Sequence, residues 1–252
     1  TQFRHNPTDP QSISDNIVWS LLIDHTGTLW AGTEVGGLNR FNPTTKTFTH
    51  YKNNPTDSTS LSSNDVRALL EDHLGVIWVA TLWKGVNYFD PSTNKFTRLQ
   101  VIANDTTSIS SNSIRSLYED RSGTIWVGTG LNGLNRFNRA TGTFTRYRHN
   151  PNDPTSISNN IIRCIMEDLS GVLWVGTHGG LNRFDRATGR FTVIREKDGL
   201  PNDVIYGIME DERGNLWLST NKGLCRLNPR TNAIANFDKR DGLQDNEFNG
   251  GA

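Results

Sequence analysis

The chain has 252 residues, 34% of them hydrophobic, enough for one large domain or two small ones with a substantial core. Its 26 Lys and Arg balance 26 Asp and Glu without any run of like charge, which argues against a general nucleic-acid or anionic-membrane binder. The longest apolar stretches are strand-sized and no charged-then-apolar leader opens the sequence, so no membrane span, direct membrane insertion or signal peptide is expected of this segment.

Taken in chain order, Thr1-Gln-Phe3-Arg-His reads as the last strand of a repeat unit. A complete unit follows. Its hairpin turn, Asp24-His-Thr-Gly27-Thr-Leu-Trp30, has an acidic residue that accepts backbone N–H bonds and a glycine that takes positive φ. After the turn come three more strands: Leu29 to Thr33, then Gly37-Leu-Asn-Arg-Phe41, then Phe48-Thr-His-Tyr51. The second unit repeats this with the apolar run Val66 to Leu70, the turn Asp72 to Trp78, Gly85 to Phe89 and Phe96 to Leu99. A third closes its turn at Trp126, with Gly133 to Phe137 and Phe144 to Tyr147 after it. The fourth runs from Ile162 to Met166, through the turn ending at Trp174, to Gly180–Phe184 and Phe191–Ile194. The fifth has its turn from Asp211 to Trp217, then Gly223 to Leu227 and Ile234 to Phe237.

The five turn tryptophans are spaced 48, 48, 48 and 43 residues apart. Four short strands per unit, labelled A to D, with no helical periodicity, predict an all-β propeller of about five four-stranded antiparallel blades. Helical solenoids and leucine-rich repeats lack this strand content, and a β-helix has shorter coils. Expected blade bounds are 16–51, 64–99, 112–147, 160–194 and 203–237, with partial strands at 1–5 and 247–252. An orphan D strand and an orphan A strand at the two ends read as excision from a longer array. The repeated Trp and Phe are expected to pack between blades.

The segment Glu119-Asp120-Arg-Ser-Gly123-Thr-Ile-Trp126-Val-Gly128-Thr129, followed by Gly133-Leu-Asn-Arg-Phe137, resembles the two-component regulator propeller repeat. The connector Asn150-Pro-Asn-Asp153-Pro-Thr-Ser156-Ile157-Ser158 fits that resemblance as well. It implies a larger, seven-bladed ring in an extracytoplasmic sensor, periplasmic and anchored to the inner membrane by a parent protein whose output module is commonly a histidine kinase. Implied partners are an oligosaccharide ligand, the remaining blades and signalling domains of the parent, and a second parent copy in a homodimer. No kinase His box or Gly-rich ATP segment lies in these residues, so the segment itself is expected not to be an enzyme. Departures from the repeat are Ala80 and Ser219 at the Gly of the Gly-Thr pair, Tyr88 for Arg, Cys225 for Asn and Leu227 for Phe.

Strand alternation puts the B–C loops and the D-to-A connectors at one end of each blade, the natural ligand face. There Trp83, with Lys84 beside it, offers a stacking platform, the alternative being a ring that caps a blade edge. Trp19, Arg67, Arg115, Arg163 and Tyr206 occupy one strand-A position in successive units, and His178 lies in the fourth B–C loop. The three guanidiniums could bind a carboxylate or sulfate, or each could pair with an acid inside the scaffold. Asp9, Asp57, Asp105 and Asp153, each followed by a Ser three residues on, read as turn caps rather than calcium ligands. The six histidines show no zinc spacing, and Cys164 and Cys225 read as small buried side chains, so neither metal nor cofactor is expected. The enzymatic alternative is a propeller lyase or glycosidase. A sialidase Asp-box has one residue between Asp and Gly, whereas two stand there in every turn here. A structural protein-binding scaffold is the third reading.

Overall fold

The computed structural model describes residues 2–248. It is an all-β propeller fold of five four-stranded sheets, in each of which consecutive strands are neighbours. The first sheet is β1 (Val18–Ile23), β2 (Leu29–Thr33), β3 (Leu38–Asn42) and β4 (Thr47–Tyr51). The second is β5 (Val66–Glu71), β6 (Ile77–Thr81), β7 (Val86–Asp90) and β8 (Lys95–Leu99). The third is β9 (Ile114–Glu119), β10 (Ile125–Thr129), β11 (Leu134–Asn138) and β12 (Thr143–Tyr147). The fourth is β13 (Ile162–Glu167), β14 (Leu173–Thr177), β15 (Gly180–Asp185) and β16 (Arg190–Ile194). The fifth is β17 (Ile205–Glu210), β18 (Leu216–Thr220), β19 (Gly223–Leu227) and β20 (Ile234–Phe237). Two compact units divide the chain, one ending at Glu119 and the other beginning at Asp120.

Each A–B turn is organised by its aspartate. Asp72 accepts the N–H of Leu74 (2.9 Å) and of Val76 (3.0 Å) on Oδ1, and the indole N–H of Trp78 (2.6 Å) on Oδ2. The indole bond recurs at Trp30 (2.8 Å), Trp126 (2.7 Å), Trp174 (2.7 Å) and Trp217 (3.0 Å). It places an otherwise orphaned donor of a buried ring on a carboxylate that already caps the turn. The rings then pack against the next sheet. In the first compact unit Trp30 meets Phe89 edge-on at 5.6 Å, and in the second compact unit Trp126 meets Phe184 at 5.2 Å.

The glutamate before the turn aspartate in the second to fifth sheets ties each to the sheet before it. Glu71 accepts the His25 N–H (2.7 Å), Glu119 the His73 N–H (2.7 Å), Glu167 the Arg121 N–H (2.7 Å) and Glu210 the Leu169 N–H (2.6 Å). The second carboxylate oxygen of Glu71 faces His25 Nδ1, and that of Glu119 faces His73 Nδ1 at 2.6 Å. These side-chain clamps hold neighbouring sheets in register without any backbone ladder between them.

The departures from the repeat compensate one another across strands. The residue opposite the Gly of the Gly-Thr pair is Ser20 for Gly32 and Cys164 for Gly176. Where the glycine becomes Ala80 the partner shrinks to Ala68, and where it becomes Ser219 the partner is Gly207. A Cβ on Gly176 would lie 2.4 Å from Cys164 Sγ and 2.9 Å from Ile205 Cγ2 in the next sheet, so the summed volume at this layer is constrained. A second pairing explains Cys225. The fully buried amides of Asn39, Asn87 and Asn182 accept the backbone N–H of Ser14, Ser62 and Ser158 at 2.9, 3.0 and 2.8 Å. In the fifth unit that serine is Pro201, which has no N–H to give, and the facing buried residue is apolar Cys225. Burial pushes the thiols of Cys164 and Cys225 up to about 12, so both are inert.

Of the orphan D strand expected at 1–5, residues 2–5 form no strand and residue 1 lies outside the described residues. The His5 N–H goes to Asn16 Oδ1 and the Asn6 N–H to Ser12 Oγ, the same connector bonds that Asn53 and Asn54 make after β4, while Phe3 packs on Phe41 and Phe48 at 4.9 and 5.4 Å. Of the other partial strand, residues 247 and 248 are not strand and 249–252 lie outside the described residues.

Cys225→Asn is expected to lower stability by roughly 1–3 kcal/mol, because the new buried amide meets Pro201 instead of a donor. A shift of the urea midpoint at unchanged slope measures it. The hydrogen bond and charge of Glu71 hold the His25 imidazole above its ordinary value of 6.5. The stabilisation from this pair is therefore complete below 6.5 and is lost as pH rises through the raised folded value. Urea midpoints should fall over that window in the parent chain, and His25→Gln should flatten the dependence.

Candidate functional site

The B–C loops and D-to-A connectors are pinned to each other by backbone bonds at the same end of the sheets. Gly37 donates to Asn64 O and Gly85 to Asn112 O, both at 2.9 Å. In the second unit of the chain the same contact joins Gly133 to Asn160 and Gly180 to Asp203. The connectors are themselves rigid. Asp57 Oδ1 accepts the Thr59 N–H and hydroxyl at 2.8 and 2.7 Å, Asp153 repeats this with Thr155, and the Ser60 and Ser156 hydroxyls donate to the Asp57 and Asp153 carbonyls. Hydrogen bonds from Thr59 and from Thr155 lower the pKa of Asp57 and Asp153 below the ordinary carboxylate value. These aspartates serve the turns.

On this fixed platform Trp83 is 59% exposed and adopts φ 66°, a left-handed conformation that a bulky residue rarely takes. The residues around it are tied down: Leu82 donates to Asp65 O (3.0 Å), Thr81 Oγ1 to Gly85 O (2.8 Å), and Gln100 Nε2 to Lys84 O (3.0 Å). The loop thus holds an indole in solvent at a conformational cost of about 1–2 kcal/mol. Lys84 beside it is exposed.

Trp19 and Arg67 come together in the first unit. The Arg67 guanidinium lies 4.1 Å over the Trp19 ring, and Trp19 is 43% exposed. Its charge is met inside the scaffold: Nη2 donates to Asp65 Oδ2 at 2.8 Å, Nε stands 2.6 Å from Asp65 Oδ1 as an ion pair rather than an aligned hydrogen bond, and Glu34 is 3.8 Å away. Arg163, Tyr206 and His178 form a second group. Arg163 Nε donates to His178 Nε2 at 2.7 Å and the guanidinium lies 5.0 Å over the Tyr206 ring, which leaves the imidazole proton on Nδ1. Arg115 is exposed on β9. Three guanidiniums that look equivalent in sequence are therefore in three different settings. The Asp65 partner of Arg67 stands two residues before it, just ahead of β5. The tilt of Arg163 onto Tyr206 depends on sheet packing and had no local signal.

Five segments, residues 12–35, 60–83, 108–130, 156–179 and 199–222, match the family described as Two component regulator propeller. Each runs from the connector serine or its equivalent through strand A and the Asp–Trp turn into the B–C loop. No curated protein shows a significant match. Among solved structures, the extracellular domain of BT3049 from B. thetaiotaomicron, described as a hybrid two component system, is similar over 93% of this chain at 26% identity, with a TM-score of 0.78. The chain spans 32% of that structure. PorZ, a surface component of the type-IX secretion system of Porphyromonas gingivalis, matches 95% of this chain and 36% of its own at 19% identity and a TM-score of 0.70. A virginiamycin B lyase from Staphylococcus aureus matches 87% of this chain and 69% of its own at 15% identity and a TM-score of 0.65. The last two show the propeller fold alone.

Trp83→Gly is expected to raise stability by about 1 kcal/mol, since glycine takes φ 66° without steric cost. A rise in the thermal midpoint measures it, and a fall would mean that the ring packs on the scaffold.

Proposed function

We propose, from the premise that the five repeats of this chain belong to the two component regulator propeller family, that it forms part of the extracytoplasmic ligand-sensing propeller of a two-component sensor. The ligand class is an oligosaccharide, and binding is relayed to an output module in the parent protein. The similarity to the extracellular domain of BT3049 supports the sensor role and the placement outside the cytoplasm. No helix among the described residues is long and apolar enough to cross a membrane.

The observation that carries the reading is Trp83. An exposed indole in a left-handed conformation, on a loop fastened at Leu82, Thr81 and Lys84, is kept against its own stability. A flat apolar ring facing water next to a lysine is what stacking on a sugar face with a polar contact requires. Arg115 is the further polar contact assigned to the ligand, with the group of Arg163, His178 and Tyr206 on the corresponding end of its own sheets. Arg67 orients Trp19 and is held by Asp65. Repetition of the same turn aspartate five times, each engaged by an indole, leaves no isolated acid in those turns for a hydrolytic or lyase reaction.

An oligosaccharide array probed with the chain, alongside Trp83→Ala and Arg115→Ala, tests the proposal. The expected result is a retained oligosaccharide whose binding falls at least tenfold in Trp83→Ala, with the carbohydrate recovered intact. Retention of no oligosaccharide, or retention untouched by both substitutions, overturns it. Conversion of the carbohydrate would make the protein an enzyme.

A further inference from the structure

The A–B turns lie at the opposite end of the sheets from Trp83, and one boundary between sheets there differs from the others. Each interlocking glutamate has one oxygen on a backbone N–H. For three of them the other oxygen meets a basic side chain: Glu71 meets His25, Glu119 meets His73, and Glu167 meets Arg186, whose Nη2 is 3.0 Å from Oε1. Arg186 also places Nη1 2.7 Å from Oδ2 of the turn residue Asp120. Although burial alone would raise that carboxyl, hydrogen bonds from Ser122, Trp126 and Arg186 bring it down to about 2.

The fourth glutamate, Glu210, has no such partner among the described residues. Leu169 stands where His25 and His73 stand. Pro229 stands where Arg186 stands, an equivalence fixed by the loop hydrogen bonds: Asp185 Oδ1 accepts the Ala187 N–H and Asn228 Oδ1 accepts the Arg230 N–H, while Asp185 O and Asn228 O accept from Gly189 and Asn232. At this place a cavity of about 560 Å³ opens, lined by Asp168, Glu210, Pro229, Arg213 and Arg230, with Arg183 and Glu212 adding one more charge of each sign. Neither of these two arginines makes an ion pair among the described residues.

We propose that this cavity binds a basic α-amino acid, its guanidinium or side-chain ammonium taking between Asp168 and Glu210 the place that Arg186 takes between Asp120 and Glu167, and its carboxylate meeting Arg213 and Arg230. The neighbouring sheet boundary is the template: the same two carboxylates, one turn aspartate and one interlocking glutamate, already hold a guanidinium there. The paired charges of opposite sign around the cavity select a ligand carrying both.

Calorimetric titration of the chain with L-arginine, agmatine and acetate tests this. L-Arginine is expected to saturate one site, agmatine to bind more weakly for want of a carboxylate, and acetate to show no saturation. Glu210→Gln should weaken arginine at least tenfold while keeping an acceptor for the Leu169 N–H. Pro229→Arg should abolish binding by supplying the guanidinium from within and should raise the thermal midpoint. Arg230→Ala should weaken arginine but not agmatine. Trp83→Ala should leave all of these unchanged, which separates this site from the oligosaccharide site. The inference is overturned if neither arginine nor agmatine saturates, if Glu210→Gln leaves the affinity unchanged, or if Arg230→Ala tightens binding, which would mean that Arg230 itself occupies the cavity.

Discussion

A single carboxylate carries several duties in every blade. The turn aspartate closes the A–B hairpin through two backbone N–H groups and at the same time accepts the indole N–H of the tryptophan six residues later. In the three middle blades both bonds are made where water is excluded, Asp72, Asp120 and Asp168 being 4, 3 and 2% exposed, while Asp24 and Asp211 are half-buried. An unpaired carboxylate at such a depth would be far costlier than an exposed one, and an unpaired indole would be costly too, so each satisfies the other. The consequence for packing is direct. With its polar edge anchored, the ring has one orientation left and meets an aromatic residue of the adjoining sheet, as Trp126 meets Phe184, with Tyr147 of its own sheet beside it.

From that anchor the rest of the scaffold follows by local substitution. The layer of small residues behind the tryptophan keeps its volume by trading between strands A and B, and the buried asparagines of strand C exist only where a serine N–H reaches them. The fifth unit obeys the same rules with different residues, Pro201 with Cys225 and Gly207 with Ser219. Its departures from the repeat are matched sets, each of which removes a group together with that group's partner.

Much of this was legible in the chain itself. The Asp-x-x-Gly-x-x-Trp spacing located every A–B hairpin, and strand order followed from the alternation around it. What escaped were relations between units. The glutamate before each turn aspartate was visible in the Glu-Asp pairs, yet its partner lies 41 or 46 residues away, in the preceding turn. The trade between Ala80 and Ala68 becomes visible only once cross-strand register is known. The left-handed backbone of Trp83 had no cue, because glycine or asparagine marks such a position and tryptophan does not. The orphan strand expected at 1–5 failed for a plainer reason: among the described residues, 2–5 have no strand C of their own to pair with.

The glutamate that reaches back to the preceding turn gives the array a polarity. The second to fifth sheets each present a carboxylate to the turn amide of the sheet before, so contacts are head-to-tail, the heterologous kind that does not close by itself after two copies. A block of about 48 residues, from one connector to the next, brings one carboxylate acceptor and one amide N–H donor with it. Duplicating or deleting such a block leaves no clasp unmatched in the interior, and the number of blades can therefore drift by whole units while every surviving boundary keeps its chemistry. Variation is then free to collect at individual boundaries, as it has where Pro229 and Leu169 stand in for cations.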